Sequence, residues 1–185
     1  MKIGTVTLDN NIILAPMAGV TDLPFRLLCK EQGVGMTCTE MVSAKAISFH
    51  NKNTEALLET AQQERPVSLQ LFGSDPDIIS EMAAYIEDRP FDILDINMGC
   101  PVPKVAGNGE GSALMRNPKL VAEIVKKTAR ATKKPVTVKI RKGFTQQEVN
   151  AAEIAKIAEA SGAAAVAVHG RTREQYYCLL YTSPS

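Results

Sequence analysis

Six short apolar runs punctuate the chain: NIILA (11–15), GMTCTE (35–40), PVSLQLF (66–72), FDILDIN (91–97), PVTVKI (135–140) and AAVAVH (164–169). They are rich in β-branched residues and alternate little, as expected for short strands buried on both faces of a parallel sheet. Between them the apolar positions take up helical spacing, as at Ile154, Ile157 and Ala158. Start and stop signals frame these segments. Ser74 stands as an N-cap ahead of Pro76, and Asn117 ahead of Pro118. Thr145 and Glu148 have capping-box spacing, and Gly162 follows as a stop. Strand and helix alternating six times predict an α/β fold with a parallel sheet and crossover helices. Such a sheet is either open and doubly wound or closed as a (β/α)8 TIM barrel. No GxGxxG follows the first run, which weakens the dinucleotide-binding version.

The strand ends favour the barrel. The first run leads into Pro16, Met17 and Ala18, and the second ends at Glu40. Gln70, Asn97 and Lys139 lie in the next three, and His169 closes the sixth before Gly170 and Arg171. In a barrel these carboxyl ends share one rim, where active sites sit. Buried polar groups need partners, so six in register call for a common purpose.

Composition narrows the class without naming the chemistry. At 45% hydrophobic and 22% charged residues, the 185-residue chain has the make-up of an ordinary globular protein. No apolar run reaches the ~18 residues of a membrane span, and the N-terminus makes a poor signal peptide. Cys29, Cys38, Cys100 and Cys178 form no CxxC and have no paired histidines nearby, so neither a disulfide framework nor a metal site is expected. A reducing, cytoplasmic compartment follows from that cysteine usage. The net charge of +1 conceals an asymmetry. Residues 1–95 hold seven Lys and Arg against fourteen Asp and Glu, and residues 96–185 hold fourteen against six. That split points to an anionic partner, although KKTARATKK by itself reads as a solvated helix face.

Five side chains carry the candidate chemistry. Lys139, inside VTVKI, directs its ammonium into the barrel mouth, where it can form a Schiff base, bind phosphate or offset negative charge on a cofactor ring. His169 can polarise a carbonyl or hydrogen-bond a ring, whereas His50 reads as a loop residue. Gln70 and Asn97 offer donors and acceptors suited to the edge of a flavin or a nucleobase. Cys100 follows the fourth run in a loop with Gly99, Gly107, Gly109 and Gly111. A thiol of ordinary pKa, about 8.5, is mostly protonated near neutrality and can donate its proton. With a lowered pKa it would be a nucleophile. Cys29 and Cys38 read as small buried hydrophobes.

APMAGVTDLPFR, LQLFG, DINMGCPVPKV, GSALMRNP, VTVKIRKG and VHGRTREQYY together resemble the bacterial tRNA-dihydrouridine synthases, the B type most of all. The resemblance covers residues 1 to about 177. It implies an FMN-dependent (β/α)8 barrel that reduces uridine to dihydrouridine in tRNA, with NADPH as reductant. By motif, Pro16, Met17 and Ala18 would line the flavin, and Gln70, Lys139 and His169 would bind its ring or surroundings. Cys100 would be the proton donor, with Asn97, Arg141 and Arg171 near the uracil or the RNA. A dihydroorotate-dehydrogenase-like barrel acting on free pyrimidines is the alternative. Where relatives read KVVKNG, this chain reads KVAGNG, with Gly107 in place of a basic residue. Six of eight barrel units are expected over residues 1–177, a partial catalytic domain that is inactive alone and monomeric when full length. Residues 178–185, CLLYTSPS, are expected to be a foreign or disordered tail.

Overall fold

The computed structural model describes residues 1–49 and 52–177. His50, Cys178 and the 178–185 tail lie outside the described residues. Five parallel strands form one sheet in chain order: β3 (Thr37–Ser43), β4 (Val67–Phe72), β5 (Ile93–Met98), β6 (Val136–Gly143) and β7 (Ala165–Thr172). Ahead of them, β1 (Lys2–Ile3) and β2 (Val6–Thr7) make a small antiparallel hairpin. The helices are α1 (Leu23–Glu31), α2 (Ala44–Ser48), α3 (Lys52–Leu57), α4 (Pro76–Tyr85), α5 (Pro103–Ala106), α6 (Pro118–Ala131) and α7 (Ala151–Ala160).

The expected first strand, 11–15, is reduced to one parallel bridge between Ile13 and Met36. Gly35 N donates to Ile12 O, and Leu14 N to Met36 O. Ile12 and Ile13 stay exposed, because nothing among the described residues pairs with their far side. The described sheet therefore has five strands rather than six and does not close, with β3 and β7 at its edges.

Strand parity sorts the side chains. Leu69, Leu71, Leu94, Ile96, Val138 and Ile140 point to the helical layer and pack with Ile79 and Met82 of α4 and Val121, Ile124 and Val125 of α6. Full burial of such a side chain contributes ~1.5–3 kcal/mol. The intervening residues face the concave side. At its amino end, Ile3 and Leu8 from the hairpin close over Met36 and Ile93.

Two helix starts differ from expectation. Asp75, not Ser74, caps α4, its carboxylate accepting from the N–H of Asp77 and Ile78. Pro76, with its fixed φ and no N–H, begins the helix, so the residue just before it is the cap. Thr145 Oγ1 does accept from Glu148 N, but α7 begins only at Ala151. Residues 144–149 instead turn back on β6, with Phe144 N bonded to Glu148 O and Val149 bridged to Gly143. The Arg116 and Arg173 guanidiniums lie 4.9 and 5.4 Å from the Phe144 ring centre and pin that turn. Asn117 caps α6 as expected. In KKTARATKK, Lys127 pairs with Asp77 and Glu123, and Lys134 bonds the carbonyls of Arg89 and Phe91. Those lysines are occupied by neighbours in the fold.

Candidate active site

Polar residues of inward parity, followed along parallel strands, arrive at one end of the sheet. A cleft of about 560 Å³ opens there, within the ~300–1,000 Å³ of ligand sites. All ten residues nominated from the sequence line it. Pro16, Met17 and Ala18 form one wall. Thr21 Oγ1 accepts from Met17 N, and the Glu40 carboxylate accepts from Gly19 N, so this turn is tied to β3.

Gln70 and Asn97 make the floor. Both ends of the Gln70 amide are engaged, Nε2 on Asp95 and Oε1 with Asn97 Nδ2. Asn97 Oδ1 accepts from the N–H of Gly99 and of Cys100. That acceptor turns the chain just past β5 and sets the half-buried Cys100 thiol at the rim. The glycine-bearing stretch beyond it is organised as α5 and a 3₁₀ turn over 111–116. Gly111 has φ +57°, and a Cβ there would sit 2.9 Å from Cys100 O. Glycine is thus required for the loop to pass behind the cysteine.

Lys139 lies beside Asn97 in register. Burial lowers its pKa, Asp95 opposes that shift, and Arg141 adds to it. No hydrogen-bond or ion-pair partner reaches its ammonium among the described residues. On β7, His169 Nδ1 accepts from Arg171 N at 3.1 Å. Burial, with Arg141, Lys139 and Arg171 nearby, lowers the ring's pKa to about 4. A neutral imidazole that accepts at Nδ1 carries its proton on Nε2, so the other nitrogen is a donor. Arg141 braces the rim: Nε donates to Gly99 O, and Nη1 to Thr172 O and Tyr176 O. Arg171 Nε is buried without a partner.

Sequence reasoning missed Asp95 and Thr137, which lie beneath the cleft. Thr137 Oγ1 and Gln70 Nε2 each donate to one Asp95 oxygen. Desolvation raises the Asp95 pKa, while both hydrogen bonds and Lys139 pull it down. A charged residue between the isoleucines of ILDIN was the available signal. Also missed was the buried Arg26–Glu64 pair.

The site and fold define a parallel α/β protein with a polar ligand cleft at the carboxyl ends of its strands. A family model described as dihydrouridine synthase matches residues 13–180. The chain belongs to that family. It is 45% identical over 177 residues to tRNA-dihydrouridine synthase B of Xanthomonas campestris pv. campestris, covering 96% of this chain and 53% of that protein. Identity and coverage are the same with tRNA-dihydrouridine synthase B of Pseudomonas aeruginosa. With a probable tRNA-dihydrouridine synthase of Rickettsia prowazekii it is 46% over 180 residues, 96% and 54% of the two chains. The chain spans about half the length of the curated relatives it matches. Among solved structures, the carboxyl transferase domain of Rhizobium etli pyruvate carboxylase aligns with TM-score 0.52 at 15% identity, over 84% of this chain and 26% of the other. That likeness is one of fold alone.

Proposed function

We propose that the protein carrying this chain reduces uridine to 5,6-dihydrouridine in tRNA, with FMN as cofactor and NADPH as reductant. On this reading the five strands belong to a (β/α)8 barrel. The observation that carries it is the convergence on one cleft of a thiol, a half-buried ammonium with no hydrogen-bond or ion-pair partner among the described residues, and an imidazole donor. The names of the relatives support tRNA as substrate over a free pyrimidine.

The cleft residues suit a flavin. A partly desolvated ammonium that no hydrogen bond or ion pair among the described residues engages favours a ligand that carries or develops negative charge. FMN, when bound, would supply the hydride chemistry. Lys139 would hold the negative edge of the ring, His169 would donate from Nε2, and Pro16, Met17 and Ala18 would pack against it. Saturating the 5,6 double bond of uracil needs a hydride at one carbon and a proton at the other. Cys100 donates that proton from the rim and is left as thiolate, to be reprotonated from solvent. The base must leave its stack to reach this depth. Arg171, with a free buried N–H, meets the base or its phosphate. Arg141 holds the rim on which they meet.

The experiment is nucleoside mass spectrometry of tRNA from a strain lacking the intact gene and any sister enzyme of overlapping specificity. Dihydrouridine is expected to disappear from at least one position and to return on complementation. Unchanged dihydrouridine overturns the reading.

A further inference from the structure

Beneath the cleft runs a continuous hydrogen-bonded chain. Thr137 Oγ1 donates to Asp95 Oδ1 at 2.5 Å, and Gln70 Nε2 to Asp95 Oδ2 at 2.6 Å. Asn97 Nδ2 donates to Gln70 Oε1 at 2.8 Å. Asn97 Oδ1 then receives Gly99 N at 3.1 Å and Cys100 N at 2.9 Å. Gln70, Asp95 and Thr137 are register partners across β4, β5 and β6. All four side chains are buried, so water offers them few alternatives.

The two amides are nearly symmetrical in shape, and each can face either way. An ionised carboxylate can only accept. We propose that Asp95 is a positioning residue that sets the direction of this relay and so holds Cys100 in place. Because Asp95 only accepts, Gln70 turns its nitrogen toward it. The Gln70 oxygen then meets the Asn97 nitrogen, and the Asn97 oxygen is left facing the loop. With Asn97 reversed, its NH₂ would confront two backbone donors and release the turn that carries the thiol. That Asp95 matters to catalysis rests on the reading of Cys100 as proton donor; the relay itself does not.

The test uses the full-length protein and hydrogen exchange of the segment Met98–Val102, in which Pro101 has no amide, so that Met98, Gly99, Cys100 and Val102 report. In D95N either orientation of the amides is allowed, and exchange at Gly99 and Cys100 is expected to rise about tenfold, as for one hydrogen bond weakened. In T137V Asp95 remains acceptor-only, and protection is expected to stay within about twofold of wild type. The deciding variant is D95N/N97D. It moves the carboxylate to the other end, where it accepts from both loop N–H groups and from an inverted Gln70, whose oxygen accepts from the new amide at position 95. Protection is expected to return. Normal protection in D95N overturns the relay. So does a double variant no better protected than D95N, or a loss in T137V as large as in D95N. Single-turnover uridine reduction is followed alongside. If D95N loosens the loop and the double variant restores it while D95N reduces uridine at the wild-type rate, the relay stands and the proton-donor reading of Cys100 fails.

Discussion

At the scale of single residues the cleft separates two tasks, proton donation and ring binding. Cys100 stands just past β5 and Lys139 within β6, both lining the one cleft. Cys100→Ala is expected to leave flavin content and NADPH oxidation largely intact. It should slow uridine reduction by ~10²–10⁴, the usual contribution of a positioned acid. Rapid-reaction measurements of the two half-reactions check this, and a wild-type rate with tRNA would remove Cys100 from the chemistry. His169 gives a second residue-scale prediction. Its ring should titrate near 4 instead of 6.5 when followed by NMR. Between those values the unfolded chain binds a proton that the native ring refuses. Stability is therefore expected to fall as pH drops from about 6.5 to about 4 and to lose this component's slope below. His169→Asn should flatten that part of the profile. Titration near 6.5 would show that the ring is not held neutral by its surroundings.

At the scale of elements, one buried ion pair joins parts of the chain with no local reason to meet. Arg26 of α1 bonds Glu64 through Nε at 2.6 Å and Nη2 at 3.0 Å. It also bonds the carbonyls of Thr21 and Glu59. Glu64 in turn accepts from Thr37 Oγ1 at the start of β3. With Arg26 3% and Glu64 0% exposed, removing either partner strands the other in a medium that solvates it poorly. Glu64→Ala is expected to destabilise the protein by about 3–5 kcal/mol, and an apolar pair at both positions to recover much of that loss. Urea unfolding of the single and paired variants measures it. A cost within experimental error of an exposed pair, about 0–1 kcal/mol, would mean that water reaches the site.

At the scale of the whole molecule, the sheet presents an unfinished edge. Among the described residues β7 pairs only with β6, and Val168 is half exposed on its flank. A second cleft of about 420 Å³ opens between β7 and residues 13–16, lined in part by apolar residues such as Ile13, Met36, Val166 and Val168. Unpaired strand edges and open apolar faces recruit other chains. The 185-residue chain prepared by itself is therefore expected to bind a hydrophobic dye and to self-associate with rising concentration. Sedimentation velocity across a concentration series checks this, and a dye-silent monomer throughout would show that the edge is covered.

The sequence by itself determined what depends on neighbours along the chain. Short apolar, β-branched runs placed β4, β5, β6 and β7 within a few positions, and the Asn117 cap set the start of α6. Chain direction in a parallel sheet put Gln70, Asn97, Lys139 and His169 toward one rim, because the order of strand and helix along the chain is local. The motifs around Cys100 carried the family for the same reason. Tertiary structure decided everything that turns on a partner far away. NIILA meets the sheet only through the bridge from Ile13 to Met36. Asp75 rather than Ser74 caps α4 because the helix begins at Pro76. Both ends of the Gln70 amide are taken up, by Asp95 and Asn97, 25 and 27 residues away. Arg26 found Glu64 38 residues on. Hydrogen-bond direction in a dry interior is set by which groups the fold brings into contact, and no local pattern encodes that.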